Sequence, residues 1–95
     1  MKVNYDSEAE ALSIDLVEVD RWDSGESVDD TYCNVALRNG RLVNIELLNP
    51  QGRLDLLEIA AQRYGLDGTA LVAAAQAALA AADRVVTVDV APSLA

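Results

Sequence analysis

Two alternating apolar runs, residues 31–37 (TYCNVAL) and 42–48 (LVNIELL), flank the dipeptide Asn39-Gly40. Asn-Gly between runs of period two is a strong hairpin signal, because both residues accept the positive φ that a tight reversal demands. The two runs are thereby committed to neighbouring antiparallel strands. A two-residue Asn39-Gly40 turn would set Val35 opposite Asn44 and Cys33 opposite Glu46, which brings polar groups onto the apolar face. A three-residue loop, Arg38-Asn39-Gly40 with Gly40 left-handed as a bulge, instead sets Val35 opposite Val43 and Cys33 opposite Ile45. The apolar face favours this second register. It then collects Val3, Tyr5, Leu12, Ile14, Leu16, Cys33, Val35, Leu37, Val43, Ile45 and Leu47.

The remaining elements follow from periodicity. Residues 2–5 read as a short strand, and Leu12 to Leu16 alternate as a half-buried strand does. Val17 and Val19 continue in the opposite phase, which predicts a bulge or the end of pairing near Leu16. Residues 20–30 (DRWDSGESVDD) are acidic and aperiodic, so they read as an exposed loop from which Trp22 can fold back. In Asn49-Pro50-Gln51-Gly52 the proline stops the ladder, and Gly52 is expected to supply a positive φ. Leu54, Leu57, Ala61 and Tyr64 predict a helix over about 53–64 with Gly65 as its C-cap. Asp67 or Thr69 can cap a second helix running to about residue 82, its apolar side formed by Leu71, Val72, Ala75, Ala78, Leu79 and Ala82. The β-branched run at 84–90 reads as a last strand, which either returns to the edge of its own sheet or is lent to a partner. The expected fold is α+β: a four- to five-stranded antiparallel sheet covered on one face by two helices, in the order ββββααβ. One domain spans 1–95, with a sheet region at 1–48, a helical hairpin at 53–82 and the strand at 84–90.

Composition narrows the functional classes. With 52% hydrophobic residues in 95 positions the chain suits one small ordered core. Sixteen acidic against seven basic side chains give a net charge of −9, which repels phosphate backbones and anionic lipid. The acid lies mostly in residues 1–48, at net −7 against −2 for 49–95. Cys33 is the only cysteine and reads as a small buried hydrophobe, so a reducing cytoplasm is expected. Neither a signal-peptide core nor a membrane span is evident. Without histidine there is no Ser–His or Cys–His nucleophile and no imidazole-ligated metal.

The stretch Tyr5-Asp6-Ser7-Glu8-Ala9-Glu10-Ala11-Leu12-Ser13-Ile14 resembles the Y-D-x-E-A-D-x-L-Y-I opening of a family of small bacterial proteins, domain of unknown function 2283. Gly40-Arg41-Leu42-Val43-Asn44-Ile45-Glu46-Leu47-Leu48 is similar to the family's G-x-apolar-V-G-I-E-I-L segment. The resemblance covers roughly residues 1–50 and departs at Glu10, Ser13 and Asn44, where the family has Asp, an aromatic and Gly. It implies an antiparallel sheet and no established activity.

Candidate sites are few. Asp6 precedes Ser-Glu-Ala and is expected to accept backbone N–H bonds from Glu8 or Ala9 in an Asx-turn. On the polar sheet face Asp15 and Glu46, with Asn44 and Arg38, form the best remaining constellation, read first as cross-strand polar pairs. Asp23-Ser24-Gly25 matches the aspartic-protease tripeptide, but Arg21 and Trp22 precede it where those enzymes carry an apolar strand, so it reads as a polar loop. The 61–74 segment has helix-turn-helix spacing, but between Asp67 and Asp83 there is no Lys or Arg to read DNA. The leading expectation is therefore a non-enzymatic interaction or accessory protein with no cofactor, binding a basic protein in the manner of an acidic antitoxin and forming a homodimer through its Ala-rich helix. The alternative is a metal-dependent or carboxylate-based module using Asp15, Glu46 or the 20–30 loop.

Overall fold

The computed structural model describes residues 1–88. Among these, six strands form one antiparallel sheet: β1 (Lys2–Asp6), β2 (Ala11–Asp15), β3 (Ser24–Asp29), β4 (Cys33–Arg38), β5 (Arg41–Leu48) and β6 (Val85–Thr87), in the spatial order β3-β4-β5-β2-β1-β6. Helices α1 (Asp55–Tyr64) and α2 (Gly68–Ala80) pack on each other; α2 lies against β1, β2 and β6, and α1 reaches β3. The fold is mixed α+β, with more strands than the four to five expected.

The additional strand comes from the acidic segment read as a loop. Ser24 to Ser27 are exposed, so β3 carries no alternation for a hydrophobic pattern to reveal. It forms instead by main-chain pairing, with Ser24 opposite Leu37 and Glu26 opposite Val35. Two residues of α1 reach over this edge: Arg63 donates to the Ser27 carbonyl at 3.1 Å, and the Tyr64 hydroxyl donates to Glu26 at 2.7 Å. Asp29 then accepts from the Thr31 and Tyr32 amides at 3.0 and 2.9 Å. That turn delays the start of β4 to Cys33, past the expected residue 31.

The hairpin keeps its expected face and changes its register. Asn39 and Gly40 both have positive φ, 53° and 77°, and Arg38 pairs with Arg41, so the tip is a two-residue type I′ turn. The polar clash anticipated for such a turn is relieved further along, because Val43 is left unpaired between Leu37↔Leu42 and Ala36↔Asn44. This one-residue bulge shifts the phase, so Val35 meets Ile45 and Cys33 meets Leu47. Val43 itself is buried, and its carbonyl accepts from the Leu16 amide at 2.9 Å, just past the end of β2. Every member of the expected core face is buried except Leu16, which is half-buried.

The stretch at 6–10 is held as an Asx-turn: Asp6 Oδ1 accepts from the Glu8 and Ala9 amides at 3.0 and 3.1 Å. Asp83 adds a tie from the far end of the chain, accepting from the Ser7 amide at 2.9 Å and the Ser7 hydroxyl at 2.6 Å. In the Pro50–Gly52 3-10 turn it is Asn49, with φ 48°, that takes the left-handed conformation expected of Gly52. Asn tolerates this region because its short polar side chain bonds locally.

Gly65, with φ 70°, caps α1, and Asp67 caps α2 by accepting from the Ala70 amide at 3.1 Å. The helices meet closely where a Cβ added at Gly68 would lie 3.4 Å from that of Ala61. Leu71, Ala74, Ala75 and Ala78 are buried in the chain's own core. The last strand returns to its own sheet, with Val3 opposite Val86 and Lys2 opposite Thr87. Positions 89 and 90 of the expected strand lie outside the described residues.

Candidate functional site

The polar face of the sheet brings together two of the four residues singled out on it. Asp15 ends β2 directly opposite Asn44 of β5, and the Asn44 amide donates to Asp15 at 2.7 Å and to the Ser13 hydroxyl at 3.0 Å. Glu46 sits opposite Ser13 on one side and Asn34 on the other, one step along the face from Asp15. The Asp15–Glu46 partnership expected from alternation is therefore replaced by Asp15–Asn44. Arg38 is at the hairpin tip, where its guanidinium donates to Asp20 at 2.8 Å. Asp23, in the Asp-Ser-Gly tripeptide, accepts from the Asn39 amide at 3.0 Å and so braces that turn. It is a fastening between the 20–23 segment and the hairpin rather than half of a buried dyad.

Beyond Asp15 the chain leaves the ladder, and the segment that follows makes one wall of an open groove. Asp15, Val17, Glu18, Val19, Asp20, Trp22, Val43 and Asn44 line it, around a volume of about 460 Å³. The phase reversal at Val17 and Val19 is what denies these valines a place in the core. Val17 is 53% exposed and Trp22 62%, so the chain's single indole lies open to solvent within a groove that also carries three carboxylates. Two of those carboxylates already hold cations. Lys2 pairs with Glu18, and this hydrogen bond, with the accompanying charge, raises the Lys2 pKa and lowers that of Glu18. Arg38 likewise holds Asp20 below the ordinary carboxylate range, chiefly through its hydrogen bond.

Sequence reasoning placed Asp15 and Asn44 on this face but missed Val17, Glu18, Asp20 and Trp22 as a shared surface. The available signal was a pair of out-of-phase valines followed by a tryptophan.

A second, smaller pocket of about 200 Å³ lies between the first β-turn and the 3-10 turn, lined in part by Tyr5, Glu10, Tyr32 and Arg53. Its floor contains two left-handed non-glycine residues, Glu10 and Asn49, linked by an amide-to-carbonyl bond of 3.0 Å. The Arg53 guanidinium lies 5.2 Å from the centre of the Tyr32 ring. Among the described residues, no group of three or more His, Cys, Asp or Glu side chains is arranged to hold a metal ion. No helix among them is long and apolar enough to cross a membrane.

Compared with known proteins, the chain matches no family model, and neither a curated protein nor a solved structure gives a significant match.

Proposed function

We propose that this chain is a non-enzymatic interaction or accessory module that binds a basic protein through the groove bounded by Asp15 and Trp22. The observation that carries the reading is the solvent-open indole of Trp22 beside exposed Val17, in a groove whose polar groups are mainly acidic. Tryptophan in a partly apolar depression is the side chain that most often anchors protein–protein binding. A net charge of −9 steers a basic partner toward the chain and disfavours nucleic acid. An acidic antitoxin neutralising a small basic toxin or nuclease, in a cytoplasmic setting, has this chemistry.

The test is co-purification with a small basic protein encoded beside the gene for this chain. Under the proposal the two elute together at low salt, separate as salt is raised, and fail to associate when Trp22→Ala is introduced. Recovery of the chain alone under mild conditions, or a complex indifferent to Trp22→Ala, contradicts it. Homodimerisation belongs to the same reading as a separate claim, and light scattering that gives a monomer at tens of micromolar removes it.

A further inference from the structure

We infer, resting on the groove reading above, that the groove takes an arginine side chain of its partner, stacked on Trp22 and paired with Asp15. Of the three lining carboxylates, Glu18 and Asp20 each hold a cation of this chain, Lys2 and Arg38 respectively. Asp15 is different: among the described residues its hydrogen-bond partner is the neutral Asn44 amide, at 2.7 Å on Oδ1, and Lys2, which faces it across the β1–β2 pair, is bonded to Glu18 instead. That bond fixes the carboxylate on the sheet face while leaving Oδ2 to receive an incoming donor. Asp15 is thus the position in the groove where an external cation adds a charge pair without displacing an internal one.

The apolar lining selects the kind of cation. Trp22 presents the aromatic ring best suited to attract a cation over its face. Lysine carries a compact, strongly hydrated ammonium, whereas a guanidinium is planar and weakly hydrated, so it can lie on an indole and still direct its N–H fork at a carboxylate. The molecule makes this three-part arrangement within itself: Arg53 lies 5.2 Å from the Tyr32 ring centre while its Nε reaches Asp55 at 3.3 Å. At about 460 Å³ the groove also has room for residues flanking the arginine, which would rest on Val17 and Val19. A second copy of the chain is the wrong occupant, since it brings a charge of −9 to an acidic groove. The occupant is an extended, arginine-bearing segment of a different, basic protein.

Trp22 is the only tryptophan, so its fluorescence reports on the groove without a label. The probes are three blocked peptides, acetyl-Gly-Val-X-Val-Gly-amide with arginine, lysine or citrulline at X, titrated into the full chain at low salt. A saturable fluorescence change with the arginine peptide is expected. Binding should be roughly fivefold or more weaker for lysine and weaker still for citrulline, reflecting the lost stacking and bidentate pairing. Asp15→Asn should bring the arginine peptide down to the level of the lysine one, with circular dichroism confirming that the variant is folded. Equal binding of arginine and lysine peptides, no effect of Asp15→Asn, or no saturable change up to millimolar peptide overturns the inference. If a basic partner protein still requires Trp22 while the arginine peptide fails, the arginine assignment falls and the groove reading stands. If the partner binds Trp22→Ala as it binds the parent chain, the groove reading itself falls.

Discussion

Replacing Asn39 with alanine is expected to destabilise the protein by about 1 kcal/mol, because an alanine in the left-handed region brings its Cβ too near the following carbonyl oxygen. The figure rests on φ 53° at Asn39 and on the pairing of Arg38 with Arg41, which together make the reversal a two-residue turn. In a three-residue loop Asn39 would be right-handed, and the same substitution would cost almost nothing. Gly40→Ala should cost about 1–2 kcal/mol, entirely conformational, since nothing lies within 4 Å of the added Cβ and φ is 77°. Asn39→Gly should leave stability nearly unchanged. The Asn39 amide bond to Asp23 involves main chain and survives in each variant.

Gly52→Ala serves as the control. Gly52 has neither a positive φ nor a neighbour within 4 Å of an added Cβ, so alanine there should be neutral or stabilise by about 0.4–1 kcal/mol through the unfolded chain. Thermal unfolding followed by far-ultraviolet circular dichroism resolves these differences, since 1 kcal/mol corresponds to roughly 4–8 °C for a domain of this size. An Asn39→Ala melting temperature equal to that of the parent would refute the two-residue turn, and with it the bulge at Val43.

Asp67→Ala removes the N-cap of α2 and should cost about 0.5–2 kcal/mol in urea unfolding, whereas Thr69→Ala, at the other capping position the sequence allows, should not. Asp83 is held below its ordinary value of 3.8 by hydrogen bonds from the Ser7 hydroxyl and amide. Its contribution is therefore complete above that value and is lost as pH falls through the lower folded one, so Asp83→Asn should flatten the acid limb of a stability-against-pH curve, and parallel curves would argue against the tie. Burial pushes the Cys33 thiol up to about 11. Alkylation of the native protein at mildly alkaline pH should be slow and become fast in urea; between the ordinary value of 9.0 and about 11, stability should decline as pH rises, a slope that Cys33→Ala should reduce.

What the sequence revealed and what it concealed follow from where side chains or main chain decide the structure. The core face from Val3 to Leu47 was legible because β1, β2 and β5 bury alternate residues. Register was not, because a two-residue turn with one bulge and a three-residue loop place the same residues inside and differ only in which pairs meet. Strand β3 was hidden because main-chain pairing and contacts from Arg63 and Tyr64 hold it, while Ser24 to Ser27 remain exposed. Asp67 and Gly65 were legible because capping is local. The groove was not, since Trp22 and Asn44 come to line one groove only after the chain has left β2 and the β4–β5 hairpin has placed Asn44 opposite Asp15.

The pairing of β6 with β1 has a consequence for biosynthesis. Strand β1 leaves the ribosome well before residues 85–87, which cover its outer edge and emerge only after both helices. Until then β1 exposes unpaired main-chain groups beside Val3 and Tyr5, and a bare edge of this kind templates association with other chains. Nascent chains halted before residue 85 should therefore be the aggregation-prone species. A bound chaperone or early partner would have its greatest effect during that interval, before the sheet gains its final strand.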